Sequence, residues 1–286
     1  MIQIKIGNCR KLLKEIPRKS IQSTITSPPY YGLRDYGEDD QIGLEETPEE
    51  YVANLVEVFR EVRETLRDDG TLWLNLGDTY CGASAIPGIK EKDLIGIPWM
   101  VAFALRNDGW YLRQDIIWHK PNPMPEAVKD RCTKSHEYIF LLSKNRNYYY
   151  DNEAIKEKST YPDGPNSPKK IVAGVGEYGM DTRKGLSKIG ANEKRNKRSV
   201  WRVNPASLPD AHFATFPEKL ILPMVLASTK PNETILDPFA GSGTTGLVAG
   251  KHNRDAILIE LNPDYKTIID KRLEGDLFFS AETEGK

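Results

Sequence analysis

The sequence predicts an α/β fold with a mostly parallel, helix-covered sheet, and three observations carry that expectation. Apolar strand patterns alternate with helical ones through the first half. The same alternation resumes toward the C-terminus, and the stretch between the two halves has no long regular period. Such βα alternation places helices on the faces of a parallel sheet. At 286 residues the chain can hold one large α/β domain with a small insert, or two modest domains.

Ile2 to Ile6 alternates apolar and polar residues as a strand does. Ile21-Gln-Ser-Thr-Ile-Thr26 is a second strand, stopped by two prolines. Thr47-Pro48-Glu49-Glu50 opens a helix, because Thr47 can cap it, Pro48 suits its first turn and Glu50 stands three residues after the cap. The stripe Tyr51, Leu55, Val58, Val62 and Leu66 extends that helix to Asp69-Gly70. A strand over Thr71–Leu76, a helix over Ile97–Leu105 and strands over Tyr111–Trp118 and His136–Leu142 follow. From about Lys144 to Asn204, scattered prolines and glycines leave no room for long elements. Phe216 then opens a helix to about Thr229, followed by strand Glu233–Asp237, helix Thr244–Lys251, strand Asp255–Glu260 and helix Pro263–Leu273. The tail from Gly275 is expected to fray.

A hydrophobic share of 39% with 28% charged residues is ordinary for a soluble globular chain, and no apolar run approaches membrane-helix length. The N-terminal residues read as a strand rather than a signal peptide, which points to the cytoplasm. Cys9, Cys81 and Cys132 are too few and too scattered to indicate disulfides or a metal site, so no metal is expected. Cys81 and Cys132 read as ordinary buried or semi-buried residues. The net charge of −1 argues against a nonspecific nucleic-acid coat. Between Asp151 and Pro205, however, 12 Lys and Arg face 7 Asp and Glu, leaving the rest of the chain acidic. With Tyr148 to Tyr150, Tyr161, Tyr178 and Trp201, this basic and aromatic stretch suits a surface that orders on DNA. A plain solvated loop is the blander reading.

Asp237-Pro-Phe-Ala-Gly241-Ser-Gly243-Thr-Thr-Gly246 follows an apolar strand and opens a helix. Glycines there admit a ligand close to the backbone, and the helix N-terminus offers N–H groups. Glu260 ends the next strand, where a carboxylate can accept from both ribose hydroxyls of a nucleoside. The glycine spacing with Glu260 also fits a dinucleotide fingerprint, and hence an NAD-dependent oxidoreductase. Against that stands Asp237, which would repel a pyrophosphate but suits a cofactor carrying an ammonium and a sulfonium. The unit's place near the C-terminus also leaves little downstream chain for a substrate domain.

Thr26-Ser27-Pro28-Pro29-Tyr30 closes a strand with two prolines, which stiffen the turn and leave carbonyls to accept from a ligand. Pro-Pro alone would indicate only a rigid turn. Ser27 and Tyr30 add an acceptor and an aromatic face, which a flat, amino-bearing ring needs.

Together these segments resemble the β-class DNA amino-methyltransferases. The catalytic motif stands as Ser27-Pro-Pro-Tyr30 and the cofactor motif as Phe239-Ala-Gly241-Ser-Gly243, in the β-class order. Leu74-Asn-Leu-Gly-Asp78, Ile117-Trp-His-Lys-Pro-Asn-Pro123 and His212-Phe-Ala-Thr-Phe-Pro217 are further landmarks of that family. The resemblance covers Ile4 to Leu273 outside the insert. It implies a doubly wound, Rossmann-like methyltransferase sheet that uses S-adenosylmethionine, and residues Ser27, Pro28, Pro29 and Tyr30 as the catalytic strand end. Asp237 would then meet the cofactor's amino end and Glu260 its ribose, with Gly241 and Gly243 forming the turn. Phe239, with Phe213 or Phe216, would line the cofactor pocket, and Asp78 is a further candidate there. Residues 1–145 become the catalytic half, 146–205 the target-recognition insert and 206–286 the cofactor-binding half.

In that family Ser at the first motif position goes mostly with cytosine N4, so the resemblance implies N4 methylation of cytosine in duplex DNA by base flipping and direct in-line transfer. Adenine N6 is the alternative acceptor. Lys120 and the cluster Lys194, Arg195, Lys197 and Arg198 are candidates for phosphate contact, against the default of solvated cations. His119, His136 and His212 read as structural. Partners implied are double-stranded DNA, with a homodimer and a cognate restriction endonuclease left open. A methyltransferase of RNA or of a protein glutamine, or a DNA-binding module without activity, are the rival classes.

Overall fold

Strands form where the sequence alternates or runs apolar, and helices where the apolar period lengthens. The computed structural model describes the chain apart from residues 34, 36, 39, 83–85, 160–192, 207–215 and 284–286, with side chains described as far as 275. Tyr161, Tyr178, His212 and Phe213 therefore lie outside the described residues. The strands are β1 (Ile2–Ile6), β2 (Ile21–Thr26), β3 (Leu66–Leu76), β4 (Tyr111–His119), β5 (His136–Ser143), β6 (Glu157–Lys158), β7 (Lys194–Arg195), β8 (Val200–Arg202), β9 (Thr234–Asp237) and β10 (Asp255–Glu260). The helices are α1 (Cys9–Leu12), α2 (Pro48–Thr65), α3 (Ile97–Asn107), α4 (Glu218–Ser228), α5 (Thr244–Lys251) and α6 (Asp264–Thr283). Two compact units result: residues 1–150 with 199–286, and residues 151–198.

In the larger unit eight strands form one sheet in the order β1-β10-β9-β2-β3-β5-β4-β8. β1, β10, β9, β2 and β3 are parallel neighbours, so the mostly parallel α/β architecture is present. β5 runs antiparallel to both β3 and β4, which alternation alone did not reveal, because an apolar pattern carries no direction. From β2 the chain steps to β3 on one side, while β9 steps to β10 on the other. The strand order thus reverses between β2 and β9, and the crevice at their carboxyl ends is where open α/β sheets bind ligands.

The capping box at α2 forms as predicted: Thr47 Oγ1 accepts from the Glu50 N–H, and the Glu50 carboxylate accepts from the Thr47 N–H. Tyr51, Leu55, Val58 and Val62 are fully buried and share one core with Leu72, Leu74 and Leu76 of β3. Thr47→Ala removes one half of the box and should lower stability by about 1 kcal/mol in urea titrations. Leu66, read as the last residue of the helical stripe, is extended (φ −68°, ψ 142°) and starts β3 opposite Ile21. The turn expected at Asp69-Gly70 is therefore strand, and α2 passes into β3 without a loop. Helix α6 also runs past Gly275, which costs roughly 1 kcal/mol in a helix interior without ending one.

Trp73 of β3 is 1% exposed, and the rings of Tyr150 and Trp201 each lie 6.3 Å from its own. Trp201 belongs to β8, which pairs in parallel with the end of β4. The smaller unit pairs β6 with β7, and there Arg195 and Arg198 donate to the Glu157 carboxylate at 2.9 and 2.6 Å. Among the described residues, no helix is long and apolar enough to cross a membrane.

Candidate active site

β2 and β9 end side by side, and a buried hydrogen bond ties the two ends together. Thr26 Oγ1 donates to Asp237 Oδ1 at 2.6 Å. Asp237 Oδ1 also accepts from the Phe239 N–H at 3.1 Å, and Oδ2 accepts from Thr245 Oγ1 at 2.7 Å. Asp237 is 2% exposed, and burial pushes its carboxyl up to about 6 despite those three donors. The chain then turns through Gly241 (φ +52°), beside which the space is open, and Gly243 (φ +77°). A side chain on Gly243 would meet Ile269 at 2.8 Å, so that glycine secures the turn and the packing of α5 on α6.

Glu260, at the end of β10, turns back to the same loop. Its Oε2 accepts from the Gly241 N–H at 2.7 Å and its Oε1 from the Asn262 N–H at 3.0 Å. Burial raises its carboxyl above the ordinary range. Each oxygen keeps a lone pair for a further donor.

A cavity of about 490 Å³ opens over these strand ends. Ser27, Pro28, Pro29 and Tyr30 line it, as do Asp237, Phe239, Gly241 and Glu260. Phe216 and Lys120 also line it, so most of the sequence candidates converge. Gly243 and Asp78 are not among the lining residues. Asp78 instead caps α3, accepting from the Gly96 and Ile97 N–H groups at 2.9 and 3.1 Å. Of the two proline carbonyls left by the motif, that of Pro29 already accepts from Tyr51 Oη at 2.8 Å. Lys194, Arg195, Lys197 and Arg198 belong to the smaller unit, where burial holds the half-buried Lys197 ammonium below its ordinary range.

The structure adds residues that the sequence reading passed over. The Tyr30 hydroxyl donates to Glu137 Oε2 at 2.7 Å and accepts from Asn75 Nδ2 at 2.6 Å. Lys120 forms an ion pair with the other oxygen of Glu137 and lies 4.4 Å from the centre of the Trp118 ring. Burial, and next the Glu137 carboxylate, hold the Tyr30 phenol well above its ordinary range. Gly77 packs against one side of the Tyr30 ring, and a Cβ there would stand 2.4 Å from Cε2. Arg10 lines the cavity with Nε and Nη2 buried and without hydrogen-bond partners among the described residues. Cys9 lines it too, but burial pushes that thiol up to about 11, too high for a thiolate nucleophile at neutral pH. Cys81 is buried as expected, whereas Cys132 is exposed.

A family model described as DNA methylase matches residues 21–271. The Type II methyltransferase M.Cfr9I of Citrobacter freundii is 45% identical, over 94% of this chain and 87% of its own. The Type II methyltransferase M.SmaI of Serratia marcescens is 43% identical, over 95% and 90%. Among solved structures, the PvuII DNA methyltransferase (cytosine-N4-specific) superposes with a TM-score of 0.68 at 21% identity, covering 95% of this chain and 86% of that one. A complex of M1.HpyAVI with S-adenosylmethionine superposes with a TM-score of 0.56 at 20% identity, covering 96% and 100%. A match this long sets aside the dinucleotide reading of the glycine turn: the chain belongs to the N6/N4 DNA methylase family.

Proposed function

We propose that this chain transfers a methyl group from S-adenosylmethionine to the exocyclic N4 of cytosine in duplex DNA. The observation that carries this reading is the single cavity shared by the Ser27–Tyr30 strand end and the Asp237–Glu260 turn. When bound, the donor supplies a methyl group already activated on a sulfonium. The residues present suit it. Gly241 leaves open space for close approach, and Glu260 keeps a lone pair on each oxygen for ribose hydroxyls. Asp237 brings negative charge for the donor's ammonium, and Arg10 brings Nε and Nη2, without hydrogen-bond partners among the described residues, for its carboxylate. Phe239 and Phe216 provide apolar lining.

The amino group of a paired base is unreachable within the duplex, so the base must rotate out to reach the Pro28-Pro29 corner. Ser27 and the Pro28 carbonyl would accept its N–H bonds, and the Tyr30 ring would receive its face. Localising the lone pair on nitrogen in this way turns a poor nucleophile into a competent one. Positioning of that kind supplies on the order of 7 to 11 kcal/mol at its best. Ser27 at the head of the motif favours cytosine, since serine at that position goes mostly with cytosine N4 in the family. The unit of residues 151–198 is assigned target recognition, with its cations on phosphates. Mass spectrometry of nucleosides from treated DNA should show N4-methylcytosine. N6-methyladenine as the sole product would overturn the choice of base.

A further inference from the structure

The catalytic motif begins with serine, a neutral acceptor, yet a carboxylate stands two hydrogen bonds away. Ser27 Oγ donates to Tyr30 Oη at 3.4 Å, and Tyr30 Oη donates to Glu137 Oε2 at 2.7 Å. Asn75, 1% exposed, sets its Nδ2 at 2.8 Å from the same carboxylate oxygen and 3.3 Å from Ser27 Oγ. The amide must present nitrogen here, because the opposite flip would set its oxygen against the carboxylate. Lys120 holds the other oxygen of Glu137. Ser27, Tyr30, Lys120 and Glu137 all line the cavity. The chain has a direction: Ser27 gives its own hydrogen away toward Glu137 and accepts from Asn75 with one lone pair, which leaves the other for an incoming N–H.

We infer that Ser27, Tyr30 and Glu137 form a relay that removes the proton released when an amino nitrogen is methylated, with Lys120 and Asn75 positioning Glu137 as its terminus. The inference rests on the amino-methyl-transfer reading above. The base nitrogen uses its lone pair for the new N–C bond while the donor's S–C pair returns to sulfur, so the nitrogen becomes cationic and acidic. Its proton passes to Ser27 Oγ, the Ser27 proton to Tyr30 Oη, and the Tyr30 proton to Glu137. The products are a neutral methylamino base, intact Ser27 and Tyr30, and a protonated Glu137 that later returns its proton to water. Tyr30 stays a phenol throughout, as its burial requires, because it releases one proton as it gains another. The relay gives a neutral serine access to a carboxylate's basicity.

Tyr30→Phe keeps the ring and removes only the relay hydroxyl. It should slow methyl transfer in single turnovers about a hundredfold, in the range of general acid–base catalysis. Affinities for S-adenosylmethionine and for DNA, measured by calorimetry, should change by less than about twofold. Glu137→Gln should match it, and adding Lys120→Met to Glu137→Gln should slow transfer no further. The native single turnover should show a solvent deuterium isotope effect that both variants reduce. Infrared difference spectra of that turnover should show a protonated-carboxyl band that Glu137→Gln lacks. Native-rate transfer by Tyr30→Phe, or no isotope effect in the native protein, overturns the relay. A native protein that methylates no DNA overturns the underlying reading instead.

Discussion

Asp237→Asn is expected to stabilise the donor-free protein at neutral pH while weakening S-adenosylmethionine binding about a hundredfold, the worth of a lost charge-assisted hydrogen bond at a buried site. Asp237 is buried and its carboxyl is pushed from 3.8 to about 6 in the fold. A carboxyl that binds its proton more tightly folded than unfolded favours folding fully below the unfolded value. That contribution is lost as pH rises through the folded one. At pH 7 to 8 the folded protein therefore carries a buried charge, a penalty of roughly 3 kcal/mol. Asparagine removes the charge and keeps the wiring. Its oxygen can accept from Thr26 and the Phe239 N–H, and its amide can donate to Thr245 Oγ1, whose hydrogen can turn to the Ile25 carbonyl 3.4 Å away. A gain of about 2 kcal/mol is expected at pH 8, shrinking toward pH 5, in melts recorded across that range. In the native protein donor affinity should fall below pH 6 as Asp237 takes up its proton, and in the variant this dependence should be flatter. Equal donor affinity in the two proteins would remove Asp237 from the binding site.

Gly77→Ala should reduce turnover by at least a hundredfold without unfolding the chain, the loss expected when a reacting group is misplaced by about an ångström. A Cβ at Gly77 would stand 2.4 Å from Tyr30 Cε2 and 2.8 Å from Cδ2. Ordinary contact begins near 3.4 Å, so ring or strand must give by about 1 Å. The ring cannot swing freely, because its hydroxyl is fixed by Glu137 and Asn75. Either the hydroxyl leaves that network or the ring leaves the position proposed for the base. Donor affinity should change little, since Asp237 and Glu260 hold the turn independently. Turnover near the native level would show that the position of Tyr30 is unimportant.

Much of this was legible in the residues. The Ser27–Tyr30 corner and the Asp237–Gly243 turn announce themselves, because stiff prolines and permissive glycines have few other uses at strand ends. Their adjacency also follows once β2 and β9 are recognised as parallel strands. Asp78 was misread because its partners, Gly96 and Ile97, lie far along the chain, and a cap over that distance leaves no local trace. Glu137 and Asn75 were missed for a related reason. Glu137 is the second residue of a mostly apolar strand, and only the reversed direction of β5 carries that end to the carboxyl edge of β2 and β3. Lys120 was legible only as a candidate phosphate contact, because its ion-pair partner Glu137 lies on another strand. Leu66 satisfied the helical stripe and the strand equally, and pairing with Ile21 decided between them.

The indole of Trp73 has a consequence for how such a protein can diversify. Tyr150 and Trp201 rest on the same buried ring, so the excursion between them departs from and rejoins the sheet at one fixed place. Lengthening or replacing that excursion leaves both ring contacts with Trp73 in place. The sheet and the pocket at its strand ends can stay constant while the stretch between two aromatic rivets is rewritten.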